Sequence, residues 1–144
     1  MVDKRVEQVW WTLRLVLGLV PIVAGLDKFA GLLADWQAYL SPLARQLLPI
    51  DAGTFMQVVG IVEIGAGILV LARPRIGAVV VAVWLVGIAL NLVASGRHLD
   101  VAVRDVVMAV SALCLARLSE ARERAGAPEP RRADPTAAAA PARA

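Results

Sequence analysis

Val9-Trp10-Trp11-Thr12-Leu13-Arg14-Leu15-Val16-Leu17-Gly18-Leu19-Val20-Pro21-Ile22-Val23-Ala24-Gly25-Leu26-Asp27-Lys28-Phe29-Ala30-Gly31-Leu32-Leu33 is long enough to cross a bilayer, and only Arg14 and the Asp27-Lys28 pair break its apolar character. Pro21 inside it predicts a kink. Three further stretches of similar character follow, at 54–72, 76–95 and 101–118. Together the four spans predict an all-α fold, an integral membrane four-helix bundle. Inside these spans sits a thin set of ionisable residues: Arg14, Lys28, Glu63, Arg104 and Asp105. A charge at bilayer depth costs about 3 kcal/mol or more unless paired or wetted, so these residues are the leads to function.

Composition agrees with lipid as the solvent. The chain has 144 residues, 59% of them hydrophobic, and its mean hydropathy of +0.69 exceeds what a soluble core of this size needs. Its single cysteine, Cys114, cannot form an internal disulfide, and with the one histidine, His98, it cannot build a zinc site or a bis-histidine haem within one chain. No intrinsic cofactor or metal is therefore expected, and a redox cofactor would come from a partner protein. The net charge of +3 does not read as nucleic-acid binding. Arg122, Arg124, Arg131, Arg132 and Arg143 cluster at the C-terminus, where they serve as a topology and anionic-lipid signal. Residues 1–119 are expected to form the membrane domain, and 120–144, rich in Ala, Pro, Arg and Glu, a disordered tail. A cleavable leader is disfavoured, because Arg14 interrupts the first apolar run and no small-x-small site follows.

The balance of basic residues orients the bundle. Placing both termini and the Arg73-Pro74-Arg75 turn in the cytoplasm puts ten Lys and Arg residues inside against four outside (Lys28, Arg45, Arg97 and Arg104). The expected location is a bacterial inner membrane, with Trp10 and Trp11 at the inner interface and Trp36 and Tyr39 at the outer one. Between the first two spans, Trp36, Tyr39, Leu40, Leu43 and Leu47 share one helical face, predicting a short amphipathic helix on the outer surface with Pro42 near its middle.

Within the bundle, Arg14, Gly18, Pro21, Gly25 and Lys28 form one stripe of the first helix, and Gly60, Glu63 and Gly67 share a face of the second. Small residues let helix backbones approach closely in membranes, so these stripes are natural partners. At about 1.5 Å rise per residue, Glu63 falls near the bilayer centre and Arg14 roughly 9 Å toward the cytoplasm. Lys28, Asn91, Arg104 and Asp105 fall roughly 7 to 12 Å toward the outside. The expectation is a central acid, a cation below it and a polar layer above it.

Each residue carries two readings. Arg14 and Glu63 either neutralise each other to fix helix register or serve a ligand or proton. Asp27-Lys28 is an interfacial anchor or part of a site. Asn91 is interhelical glue or a ligand contact. Arg104 and Asp105 point about 100° apart, so at least one faces inward. His98 reads as a solvated turn residue and Cys114 as an apolar filler. No Ser-His-Asp arrangement, phosphate-binding glycine loop or thiol pair is present, so no catalytic residue is assigned and no enzyme activity of its own is expected.

Leu13-Arg14-Leu15-Val16-Leu17-Gly18 leading to Ala24-Gly25-Leu26-Asp27-Lys28-Phe29 resembles the opening helix of the DoxX family of small bacterial membrane proteins. Gly60-Ile61-Val62-Glu63-Ile64-Gly65-Ala66-Gly67 is similar to that family's second helix. The likeness spans about residues 8–118, and the methylamine-utilisation MauE group opens in much the same way. The resemblance implies a four-helix inner-membrane protein. Its relatives include the membrane subunit of a thiosulfate:quinone oxidoreductase, and others are linked to complexes handling oxidative or thiol stress. By this resemblance Arg14, Lys28 and Glu63 are the positions of interest. The expectation, motivated by a half-buried acid flanked by cations, is a non-catalytic membrane subunit or scaffold of a redox or stress complex that holds a quinone-like molecule near Glu63. Two alternatives from other classes are a small oligomeric transporter or channel subunit, and a purely structural anchor. Expected partners are the lipid bilayer, redox partner proteins and a second copy of the chain.

Overall fold

In the computed structural model, residues 3–126 are described. Within them the chain forms helix α1 (Lys4–Ala30), a 3-10 turn (Trp36–Tyr39), a short helix α2 (Pro42–Leu47), and three long helices α3 (Ala52–Ala72), α4 (Pro74–Ser95) and α5 (Leu99–Gly126). No strand occurs among the described residues. The long helices run alternately up and down. One end carries the start of α1, the α3–α4 turn and the end of α5; we call it the termini end, and the opposite end distal.

The boundaries have local causes. Gly31 takes a left-handed conformation (φ 64°) and closes α1 by donating its N–H to the Asp27 carbonyl. The first span therefore stops three residues short of Leu33. Asp51 caps α3 by accepting from the Thr54 backbone N–H at 2.9 Å and from its hydroxyl at 2.6 Å. Those bonds hold its carboxyl below the usual range. Pro74 occupies the first turn of α4, where its missing N–H costs nothing, so α3 and α4 are joined through Arg73 alone. The expected single amphipathic helix at the distal end is instead split in two: Pro42 starts α2 behind the Ser41 cap, and the preceding residues close into the 3-10 turn. As a result Leu40 is buried while Leu43 and Leu47 are exposed.

Two kinds of close packing hold the helices. Between α1 and α3 it is glycine on glycine. A Cβ on Gly25 would stand 2.5 Å from the Gly60 carbonyl oxygen, one on Gly60 would stand 2.6 Å from the Gly25 oxygen, and Gly67 abuts the Gly18 carbonyl. Between α4 and α5 it is alanine: Ala78, Ala82 and Ala89 on one side, Ala102, Ala109, Ala112 and Ala116 on the other, are all buried. Leu17, Val70 and Leu115 join the two pairs in one core, while Leu92 packs with Ala89 and Ala102 in a second cluster. The outer faces are apolar, with Leu19, Val23, Leu26, Ile61, Ile68, Val83, Leu90, Val107 and Val110 all exposed. A surface of contiguous large aliphatic side chains suits lipid and not water.

Among the described residues, α1, α3 and α4 are long and apolar enough to cross a membrane. The expected fourth span at 101–118 differs. It lies inside α5, but Arg104, Asp105 and Arg117 dilute its apolar character, and α5 is not among those helices. Nor does the helix end near Glu120, where composition suggests a tail. It continues to Gly126 because this stretch has partners: Glu120 meets Arg75 at 3.6 Å and Arg124 at 2.6 Å, Glu123 meets Arg75 at 2.9 Å, and the Trp10 indole N–H donates to the Ser119 hydroxyl at 2.8 Å. The remainder of the expected tail, from residue 127, lies outside the described residues. Cys114 faces outward and is exposed, not a filler of the interior.

Glycine at the α1–α3 contact is required by space, which gives a direct test. Gly25→Ala or Gly67→Ala should destabilise the protein by about 1–3 kcal/mol through overpacking. Gly65→Ala and Gly87→Ala, where nothing lies within 4 Å of the new methyl, should be neutral or slightly stabilising. Thermal unfolding in mild detergent measures all four, and equal effects across them would contradict the packing.

Candidate functional site

The antiparallel contact of α1 with α3 fixes which charges can meet. With Gly18 against Gly67 and Gly25 against Gly60, Glu63 sits between the two glycine contacts on a buried face. Side chains on a helix lean toward its N-terminus, so on antiparallel helices Glu63 leans toward the distal end and Lys28 leans back toward the bundle middle. They meet: Lys28 Nζ lies 2.5 Å from Glu63 Oε2, with side-chain exposures of 3% and 8%.

Arg14, on the same helix as Lys28, also leans toward the N-terminus of α1, which carries it away from Glu63. Its Nε donates to the Leu71 carbonyl at 3.1 Å, and its Nη2 donates to the same oxygen. Its guanidinium stands 5.0 Å from the ring centre of Trp10 and 4.9 Å from that of Trp11. Leu71 is eight residues beyond Glu63, about 12 Å along the helix. The expected Arg14–Glu63 pair therefore does not form. Arg14 instead caps α3, whose last carbonyls lack helical partners and carry the negative end of the helix dipole.

The Asp27-Lys28 pair, expected as one interfacial anchor, divides its work. Asp27 is 5% exposed. Its carboxylate accepts from the Leu32 N–H at 2.9 Å, from the Leu33 N–H at 3.0 Å and from the Trp36 indole N–H at 2.7 Å, folding the connection back over the end of α1. That fold lays the Trp36 ring on the ion pair: Lys28 Nζ is 3.7 Å from its centroid. Lys28 thus has a carboxylate on one side and an aromatic face on the other.

The remaining candidates lie toward the same distal end. Asn91 donates to the Tyr39 carbonyl at 2.8 Å and accepts from the Ser41 N–H at 3.2 Å, tying the connection to α4. The Tyr39 ring packs 4.5 Å from His98, which holds a positive φ of 55° in the α4–α5 turn and is not a freely solvated residue. Arg104 turns outward to Asp100 at 3.6 Å and takes no part. Asp105 turns one oxygen inward: its Oδ2 is shut off from solvent and has no hydrogen-bond partner among the described residues. The structure so brings together Lys28 and Glu63 beneath Trp36, ties Asn91 to the connection at Tyr39 and Ser41, and leaves Arg14 and Arg104 out.

Sequence reasoning missed three participants. Trp36 is read as an interfacial aromatic, and its contact with Asp27 depends on a loop with no periodicity. His98 and Tyr39 meet across a long sequence separation that no local pattern encodes. A shallow cleft of about 480 Å³ lined by Ala72, Arg73, Pro74, Arg75, Ile76 and Glu123 opens at the termini end, away from these groups.

Compared with known proteins, the chain matches the DoxX family profile over residues 9–94. That match takes in Lys28, Glu63 and Asn91 and ends before Asp105. No curated protein and no solved structure matches.

A buried pair stripped of one partner leaves an uncompensated charge. Lys28→Met and Glu63→Gln should each lower stability strongly, by about 3–5 kcal/mol where the remaining charge stays buried. The double variant should lose less than the sum of the two. Arg14→Gln combined with Glu63→Gln should be additive, because Arg14 belongs to another contact. Unfolding midpoints in detergent decide it, and coupling of Glu63 to Arg14 in place of Lys28 would reverse the assignment.

Proposed function

The chain belongs to the DoxX family of membrane proteins, a family associated with redox- and stress-linked roles, and from that premise we propose that it is a membrane subunit of a redox or stress-response assembly. In this reading the distal half of the bundle receives the polar head of a quinone-like molecule beside Lys28 and Glu63. The observation that carries it is the buried Lys28–Glu63 pair with Trp36 stacked on the ammonium.

The chemistry follows from donor arithmetic. An ammonium has three N–H donors. One serves Glu63 and one faces the Trp36 ring, which leaves a donor for a ligand oxygen. A planar ring bearing a carbonyl matches this combination of indole face and charged donor, while its apolar tail would run along the exposed aliphatic faces into lipid. A cationic donor in a low-dielectric site binds such an oxygen far more strongly than it would in water.

No electron carrier is assigned to this chain, so partner proteins would supply it, and the subunit would contribute binding and placement. In this reading both termini lie in the cytoplasm of a bacterial inner membrane, a placement supported by the excess of basic residues at the termini end. The distal site then lies toward the outer leaflet. In the same reading α5 completes the crossing as a fourth span, its Arg104 directed to the outer headgroups and its Arg117 to the inner ones.

The test is binding of a short-chain quinone analogue to the purified full chain in nanodiscs, read by quenching of tryptophan fluorescence. Lys28→Met should weaken binding at least tenfold, the loss of one charge-assisted hydrogen bond. Arg14→Gln should leave it unchanged. Equal affinity in wild type and Lys28→Met, in protein shown to be folded, would remove the proposal.

A further inference from the structure

The Lys28–Glu63 pair is closed off from its surroundings, with side-chain exposures of 3% and 8%. Two routes lead to it. One parts α1 from α3, and it breaks the backbone contact of Gly25 with Gly60, where a Cβ on either residue would stand 2.5 or 2.6 Å from the facing carbonyl oxygen. The other lifts the Trp36 ring, whose centroid lies 3.7 Å from Lys28 Nζ.

The connection that carries Trp36 is built for the second route. None of residues 32–38 is buried, and Leu32 and Leu33 are 85% and 68% exposed. Packing therefore contributes little to holding this stretch down, which places it at the low end of local stability. Among the described residues, its hydrogen bonds to the long helices all end on one group, the Asp27 carboxylate. That group accepts from the Leu32 N–H at 2.9 Å, the Leu33 N–H at 3.0 Å and the Trp36 indole N–H at 2.7 Å. The far end of the stretch is fixed differently. Leu40 and Ser41 are buried, and the Asn91 amide bonds the Tyr39 carbonyl at 2.8 Å and the Ser41 N–H at 3.2 Å. A segment with a single polar attachment at one end and a packed, bonded anchor at the other has the form of a hinged cover.

We propose that residues 32–38 are a cover that opens over the ion pair, with Asp27 as its latch, Trp36 as its seal and the anchor at Tyr39 and Ser41 as its hinge. Closed, the indole ring and the carboxylate that holds it keep water away from Lys28. Opened, the cover gives the ammonium access to solvent while α1 and α3 stay in glycine contact. Charge-assisted bonds from three N–H donors make the latch firm, and their convergence on one carboxylate makes it release as a unit. This inference does not rest on the quinone reading, and its test contains no ligand.

Lys4 and Lys28 are the two lysines of the chain, and Lys4 is exposed. Reductive methylation of the full chain in nanodiscs with formaldehyde and cyanoborohydride, followed by mass spectrometry, therefore reads access to Lys28 against Lys4 as an internal reference. In the wild type Lys28 should react far more slowly than Lys4. Asp27→Asn should raise the Lys28 rate by about tenfold or more. Trp36→Phe keeps a ring and every charge and removes only the indole N–H, and it should raise the rate by several-fold. In both variants hydrogen exchange should quicken at the Leu32 and Leu33 amides and keep its wild-type rate in α1 and α3 around Gly25 and Gly60. An unchanged Lys28 rate in either variant would overturn the proposal. So would a rise that comes with faster exchange around Gly60, because the pair would then open by parting of the helices.

Discussion

Glu63 cannot be solvated by lipid and is held away from water, so the position of its one cation governs the arrangement around it. The partner is Lys28, and it can be Lys28 only because α1 and α3 touch backbone to backbone at Gly18, Gly25, Gly60 and Gly67. A Cβ at Gly25 or Gly60 would stand 2.5 or 2.6 Å from the facing carbonyl oxygen, so a larger residue there would force the two helices apart at the ion pair. The glycine stripe and the ion pair are thus one feature. Close approach brings the charges together, and the charges penalise any slip in register. Asp27, one residue before Lys28, secures the same place from above by gathering the Leu32 and Leu33 amides and the Trp36 indole.

Much of this was legible in the sequence. The apolar runs gave α1, α3 and α4 because hydropathy and length suffice to find helices in a membrane protein. The facing stripes of Gly18-Gly25-Lys28 and Gly60-Glu63-Gly67 followed from helical periodicity. The partner of Glu63 did not. Estimating depth from Cα positions makes Arg14 and Lys28 comparable candidates, and only the lean of side chains toward each helix N-terminus separates them. On antiparallel helices that lean brings Glu63 and Lys28 together and carries Arg14 off to the Leu71 carbonyl.

What lay beyond the sequence depended on contacts between distant or aperiodic segments. The distal connection reads as one amphipathic helix, but Pro42 is better used as a helix start behind Ser41 than tolerated in a helix interior. The extension of α5 to Gly126 depends on Arg75, Glu7 and Trp10, which lie far away in sequence. Low apolar content near Glu120 predicts a tail, but charge pairs and an indole hydrogen bond hold the stretch to Gly126 in place.

Placement of polar groups suggests how the protein divides its labour. The termini end is a structural closure, with Arg14 capping α3 and Trp10 bonding Ser119. The distal end holds the Lys28–Glu63 pair under the Trp36 ring and the Asp27 carboxylate that gathers the connection over it. The most direct measurement of this account is solid-state NMR dipolar recoupling between the ¹⁵Nζ of Lys28 and the ¹³Cδ of Glu63 in lipid bilayers. The account predicts the strong coupling of a direct ion pair, as the 2.5 Å contact requires. Absence of that coupling, or coupling of Glu63 to the Arg14 guanidinium nitrogens in its place, would contradict it.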